Sequence, residues 1–446
     1  MKIIVRAPGP GFGRVMIHFL FFFAVLCLLA SLLTAPGQLY LGKLYYAKDA
    51  GVLVSYFILA ALAARRNDKL AMLLAAVATG LILLFVPALR TDESASTGLN
   101  IMWIMKWTVA VQLGILTYRE RLQRALPYVL AGLLAILCVD AIIGSWEIGT
   151  QGYFFEMSES DETAAGVAMV KQEHVGGLIR VLALHRSGTD FGNSMATGIM
   201  VCGFLLMVCR KLWIRLTLAP LLALCAFDLF FSTLRSFLVG ATASMAALIW
   251  HLLMPRALNR FSAHIIAGLI VVCLFFSYFN IIPAVEFVSK HVLNDSDIGN
   301  VESSYMRLDT WDNVFRDIKD TPAVAIIGGP LASALSLNAP PSNICDNIYL
   351  WFFYHTGIFG LIVFLVCVPL PLLARTDARL RAFYFATTAQ LLVTGIFTDS
   401  LFFFSALVTF FTLGLMLAEL DTRRIPAFVQ FKFAPARARQ GLPGSG

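Results

Sequence analysis

Long apolar runs are the feature that most constrains this chain. They fall near residues 15–34, 51–64, 70–89, 101–118, 126–145, 192–209, 213–233, 236–254, 262–282, 347–372, 382–397 and 401–419. A helix needs roughly 20 predominantly apolar residues to cross hydrocarbon, and most of these runs reach or approach that length. The second run is short and extends back toward Tyr45. The eleventh is short as well, so the count lies between ten and thirteen, with about twelve as the central value. Composition agrees, because 59% of residues are hydrophobic and only 14% charged, against about 25% charged in soluble domains. The expected fold class is an all-α polytopic membrane protein with about 12 transmembrane helices, its transmembrane domain covering residues 1–420. The first run follows Lys2, Arg6 and Arg14. It exceeds an ordinary signal-peptide core and no A-x-A site follows it, so it reads as a retained helix.

Charge sets the expected orientation. Basic residues cluster in alternate loops: Arg65, Arg66 and Lys69; Arg119, Arg121 and Arg124; Arg210, Lys211 and Arg215; Arg256 and Arg260; Arg375, Arg379 and Arg381; then Arg423 and Arg424 onward. With the N-terminus these segments hold 22 of the 34 Lys and Arg, but only five acids: Asp68, Glu120, Asp377, Glu419 and Asp421. The positive-inside rule places them in the cytoplasm, with both termini. Residues 421–446 read as a basic, disordered cytoplasmic tail. The net charge of +7 is therefore a topology signal and points to no nucleic-acid partner.

Seven of the eight cysteines fall inside apolar runs and Cys345 sits at the edge of one. Without a CxxC or a clear extracytoplasmic pair, neither a disulfide nor a zinc site is expected. No Walker A motif and no H-E-x-x-H is present, and no cofactor is expected. The connections on the basic side are short. Two on the other side are long, about 145–191 and 283–346, and loops of this length are usually functional. Whatever the protein does is thus expected on the extracytoplasmic side.

In the second loop, "SSYMRLDTWDNVFRDIKD" spans Ser303 to Asp320. Trp311, Val314, Phe315 and Ile318 recur at helical spacing, which predicts an amphipathic surface helix. Arg307 lies four residues before Trp311, on the same face. Arg316, nine residues from Arg307, falls on the opposite side. Arg307 either snorkels or pairs with an acid, or holds an anion through its planar fork of donors. Gly328, Gly329 and Pro330 then predict a turn. "CDNIYLWFF" follows, with Asp346 and Asn347 at the mouth of the tenth run. Asp and Asn are preferred helix caps, so these two either cap or do chemistry at the membrane surface.

An arginine, a tryptophan four residues on, a Pro/Gly-rich turn and then "DNIYLWFFYHTGIFGLIVF" resemble the signature region of the O-antigen ligase and Wzy-type polysaccharide polymerase superfamily. There an R-x-x-x-W helix precedes a glycine turn, and an H-N or D-N pair opens a helix continuing to Gly-x-x-Gly, here Gly357 and Gly360. "STLRSFLVG" with Arg235 is similar to the family's arginine at a short outer turn. "RVLALHRSGTDFGNSMATG", with Arg180 and Arg186, is similar to its arginine-bearing approach to a helix. The likeness covers roughly Arg180 to Phe364. One departure is that ligases carry histidine where this chain has Asp346, which favours a polymerase.

The resemblance implies a GT-C-like glycosyltransferase of the bacterial cytoplasmic (inner) membrane with its active site facing the periplasm. Such enzymes join glycans carried on undecaprenyl diphosphate. An acceptor hydroxyl attacks the anomeric carbon and the lipid diphosphate leaves. Arginines can stabilise that leaving charge without a metal. By this reading Arg307 and Asp346 are catalytic, and Arg235, Arg180, Arg186 and Asn347 bind substrate. Asp346 acts either as general base or as an orienter of an arginine. Arg235 is set near hydrocarbon depth, where a charge is costly and faces a cavity or a partner; that partner would be Asp228, seven residues earlier. Implied partners are the undecaprenyl-diphosphate-linked oligosaccharide, membrane lipids and a chain-length-regulating co-polymerase.

Other polar residues read more quietly. Lys106 and Asp140 lie near outer helix ends and either snorkel or line a lipid-diphosphate groove. His185, beside Arg186, reads as a solvated loop residue or a weaker site candidate, and His18, His251, His264 and His355 as helix or interface residues. Two alternatives stay open: a ligase with another acceptor, and a transporter or flippase of lipid-linked sugars. A transporter is expected to show repeats and midplane charges in broken helices, whereas most charge here lies in loops and at helix ends.

Overall fold

A computed structural model of the chain describes residues 10–86, 94–155, 174–175, 178–179, 181–185, 187–232, 235–254, 261–279, 311, 313–335, 347–373, 377–398 and 404–424. The described architecture is all-helical apart from one two-residue antiparallel pair, His174–Val175 with Leu178–Ile179. In chain order the helices are α1 (Pro10–Ala30), α2 (Thr34–Leu41), α3 (Ala47–Arg66), α4 (Lys69–Phe85), α5 (Ser94–Arg119), α6 (Leu126–Thr150), α7 (Gly188–Val208), α8 (Leu212–Phe231), α9 (Arg235–Leu253) and α10 (Ser262–Phe279). Then come α11 (313–320), α12 (Ala323–Ile327), α13 (Gly329–Ala334), α14 (Ile348–Cys367), α15 (Ala378–Thr394) and α16 (Phe404–Arg424).

Within the described residues, each of the twelve apolar runs lies mainly on one of the long helices. Eight segments are long and apolar enough to cross a membrane: Thr34–Arg66, Gly98–Arg119, Leu126–Thr150, Gly188–Val208, Leu212–Phe231, Ser236–Leu253, Ile348–Leu372 and Phe404–Asp421. The apolar stretches of α1, α4 and α10 are shorter. The chain is a polytopic helical membrane protein. α15 is the least apolar of the twelve long helices, with Thr387, Thr388, Gln390 and Thr394. These side chains are buried where α15 packs on α9, α16 and α10. A helix enclosed by others does not need an apolar surface.

Short polar residues set the helix ends. Asp68, Ser187, Asn347 and Asp377 each accept a backbone N–H of the helix that follows, satisfying donors that have no partner inside the helix. Asn67 ends α3 in the left-handed conformation.

α5 and α16 cross closely, because Gly114 and Gly414 face each other's backbones with no room for a Cβ. Small residues permit such approach between membrane helices. Polar links fix the centre. Asn193 donates to Ser405 Oγ at 2.9 Å and accepts Ser405 N–H at 3.0 Å. Gln390 donates to Thr197 Oγ1 at 3.2 Å. These bonds tie α7 to α16 and to α15 inside the apolar bundle.

Four of the basic segments, around Arg66, Arg119, Asp377 and Asp421, meet at one end, and all five acids are engaged there. Arg119 pairs with Asp68 at 3.3 Å and also with Asp421. Glu120 pairs with Arg66. Glu419 accepts Asp377 N–H at 3.1 Å.

Three expected boundaries move. α6 continues to Thr150 and α7 starts at Gly188, so the first long segment is 151–187 rather than 145–191. The second contains helices α11 to α13 in its later part. α16 runs through Asp421 to Arg424, four residues into what was expected to be a disordered tail. The rest of that tail, 425–446, lies outside the described residues.

Candidate functional site

Of the residues singled out from sequence, Arg180, Arg186, Arg307 and Asp346 lie outside the described residues. Arg235 opens α9, with its side chain likewise outside. What the structure describes is the framework around them, in three parts.

The first part is the mouth of α14. Asn347 is fully buried. Its Oδ1 accepts Tyr349 N–H at 2.9 Å and Leu350 N–H at 3.1 Å, while its Nδ2 donates to Ile396 O at 3.0 Å. Ile348 N–H donates to Gly395 O at 2.7 Å, and Tyr349 Oη donates to Leu392 O at 3.1 Å. These bonds pin the start of α14 to the end of α15. Of the two roles the sequence offered Asn347, capping is the one its described bonds fulfil. Its side chain fixes the backbone next to Asp346.

The second part joins the segment α11–α13 to α14. Trp311 and Val314 are buried and Arg316 is exposed, as the periodicity predicts. Gly328 (φ 86, ψ 154) separates α12 from α13. Gly357 (φ 67, ψ −173) kinks α14. Both occupy a backbone region essentially restricted to glycine. The two kinks interlock: a Cβ on Gly328 would strike the His355 carbonyl, and one on Gly357 would strike that of Ile326. Tyr354 Oη adds a hydrogen bond of 3.4 Å to Asp317 Oδ2 on α11. The glycine turn and the Gly-x-x-Gly helix of the motif are therefore in direct backbone contact.

The third part is the turn between Arg180 and Arg186. Asp140 and Glu147 stand seven residues apart on α6, two turns along one face, and both are 1% exposed. Glu147 Oε2 accepts Leu182 N–H at 2.9 Å and Ala183 N–H at 3.1 Å, and Oε1 accepts Phe154 N–H at 3.0 Å. Asp140 Oδ1 accepts Leu184 N–H at 3.1 Å and Oδ2 meets His185 Nε2 at 2.8 Å. Ala183 has φ 47, a conformation disfavoured for a residue with a Cβ, and this grip holds it. Burial alone would lower the His185 pKa. The Asp140 carboxylate outweighs burial, by charge and hydrogen bond, and holds it above the ordinary histidine value.

Several quiet readings are thereby corrected. His185 is buried and bonded to Asp140, not solvated. Asp140 does not snorkel, because its carboxylate is spent on the turn. Lys106 is also buried, pairing with Asp49 at 3.0 Å and lying 4.5 Å from the Trp103 ring centroid. Asp228 accepts Ser145 Oγ–H at 2.6 Å; its expected partner, the Arg235 side chain, lies outside the described residues. Glu147 was missed, although an acid deep in an apolar helix seven residues from another was a usable signal. Among the described residues no cluster of three or more His, Cys, Asp or Glu is placed to hold a metal.

Comparison of the chain with protein-family models and with curated proteins returned no match to either.

Proposed function

We propose that the chain is a membrane glycosyltransferase that polymerises oligosaccharide repeat units carried on undecaprenyl diphosphate, on the outer face of the bacterial cytoplasmic membrane, with about twelve spans and both termini inside. The observation that carries this reading is the interlock of Gly328 with Gly357. It joins two parts of the sequence signature that lie apart in the chain. The helical segment that follows Arg307 and the helix that follows Asp346 become one packed unit, with Trp311 and Asn347 as buried anchors.

In the proposed reaction an acceptor hydroxyl oxygen forms a bond to the anomeric carbon of the growing chain. The bond from that carbon to the diphosphate oxygen breaks, and the diphosphate keeps the electron pair. Arg307 stabilises this developing charge, aided by Arg235, Arg180 and Arg186. Asp346 takes the hydroxyl proton, or orients an arginine while the departing diphosphate takes that proton. Asn347 acts by fixing the backbone beside it.

Reconstitution with the correct lipid-diphosphate-linked repeat tests the proposal. Wild type is expected to build a ladder rising in repeat-sized steps. Arg307→Ala is expected to lose about 10²–10³-fold in rate, the loss seen when one preorganised charge-stabilising donor is removed, with helix content by circular dichroism unchanged. A ladder of normal rate from Arg307→Ala sinks the site assignment. Transfer only to a different added acceptor makes the protein a ligase.

A further inference from the structure

A cavity of about 890 Å³ opens where α1 meets the α5–α6 connection, at the end where four of the basic segments meet. Its polar lining includes Arg119, Glu120, Arg121 and Arg124. Two of these charges are already spent, Arg119 on Asp68 and Asp421, and Glu120 on Arg66. Arg121 and Arg124 are exposed and have no ion-pair partner among the described residues. The cavity therefore presents two unspent guanidinium groups. Arg121 is also held at φ 55, a left-handed conformation uncommon for a side-chain-bearing residue.

The other wall is apolar. Phe22 of α1 and Tyr128 of α6 line it, 44% and 74% exposed. Phe22 belongs to a longer stripe: Val15, Phe19, Phe22 and Leu26 recur at helical spacing along α1, each 44–68% exposed. In a membrane protein such a stripe faces lipid tails. An occupant must therefore be anionic at one end and apolar at the other. Arginine's planar fork matches phosphate oxygens, and basic pockets between membrane helices suit anionic headgroups.

We propose that this cavity is a binding site for an anionic phospholipid, its phosphodiester held by Arg121 and Arg124 and its acyl chains lying against Phe22 and the exposed stripe of α1. The site lies at the end of the bundle that the charge pattern assigns to the cytoplasm. It stands independently of the proposed reaction.

Native mass spectrometry of the detergent-purified full chain tests this, with phosphatidylglycerol, phosphatidylcholine and inorganic phosphate as probes. Phosphatidylglycerol is expected to be retained and the other two not. A basic residue near a membrane surface contributes about 1 kcal/mol toward an anionic lipid, and 1.4 kcal/mol is tenfold. Arg121→Gln with Arg124→Gln is thus expected to weaken phosphatidylglycerol binding about 30-fold. Binding by the unaltered protein is also expected to fall with rising ionic strength, since exposed charges are screened. Equal retention of phosphatidylcholine, binding of phosphate but not lipid, or unweakened binding in the double variant overturns the proposal. So does salt-independent binding, which is read without any variant.

Discussion

The Asp140–His185 contact shows what one pair of side chains does here. Both groups are almost fully buried, and removing one partner of a buried pair leaves the other uncompensated. Asp140→Ala is expected to cost about 3–5 kcal/mol, read as a fall in Tm in detergent. The pH dependence has a definite sign. His185 has a folded pKa above its ordinary value. Its contribution is therefore complete below the unfolded value of about 6.5 and is lost as pH rises through the higher folded value. The gap in Tm between wild type and His185→Gln should be widest in mild acid and close toward alkaline pH; a gap that widens with pH refutes the assignment. Asp140 was conspicuous in the sequence, but its role was not. Its partner lies 45 residues away, and no local spacing rule reaches that far.

At the scale of elements, the interlock of α14 with the α12–α13 turn depends on two glycine backbones. Gly357→Ala would combine a Gly-only backbone with a clash against the Ile326 carbonyl. The strained backbone alone costs about 1–3 kcal/mol, and the displaced carbonyl adds to it. A clear loss of thermal stability and easier proteolysis of 311–335 are expected, and a variant as stable as wild type would show that the kink is dispensable. The sequence revealed that a helix begins after Asn347 and that its first face is capped. It also revealed the buried face of Trp311 and Val314. The kink was illegible, because Gly-x-x-Gly inside an apolar run reads equally well as a helix-packing surface. What distinguishes the two readings is a carbonyl supplied by a separate segment.

For the whole molecule, the apolar runs located every long helix among the described residues, because a chain solvated by hydrocarbon must pair its backbone within each segment. They did not distinguish helices facing lipid from helices enclosed by others. α15 makes the point, since Thr387, Thr388, Gln390 and Thr394 are all buried. Enclosure is a property of the assembled bundle. The charge pattern makes a prediction of its own. Cysteines introduced at Arg65 and Arg423 should stay unlabelled by a membrane-impermeant thiol reagent in intact cells, while one at Phe154, 51% exposed, should react. Labelling of all three from outside would break the positive-inside assignment.

The grip of α6 on the 182–185 turn also bears on how the protein is made. Apart from Phe154 N–H, seven residues after Glu147, the partners of Asp140 and Glu147 lie 35 to 45 residues later in the chain. When α6 is handed to the bilayer during synthesis, both carboxylates still lack the 182–185 turn. An acid at the centre of an inserting helix costs about 2.5–3.5 kcal/mol, less toward its end. The leucines, isoleucines and alanines of α6 must carry that load until the next segment has been translocated. Insertion of this helix is thus completed by chain that has not yet been translated when it begins.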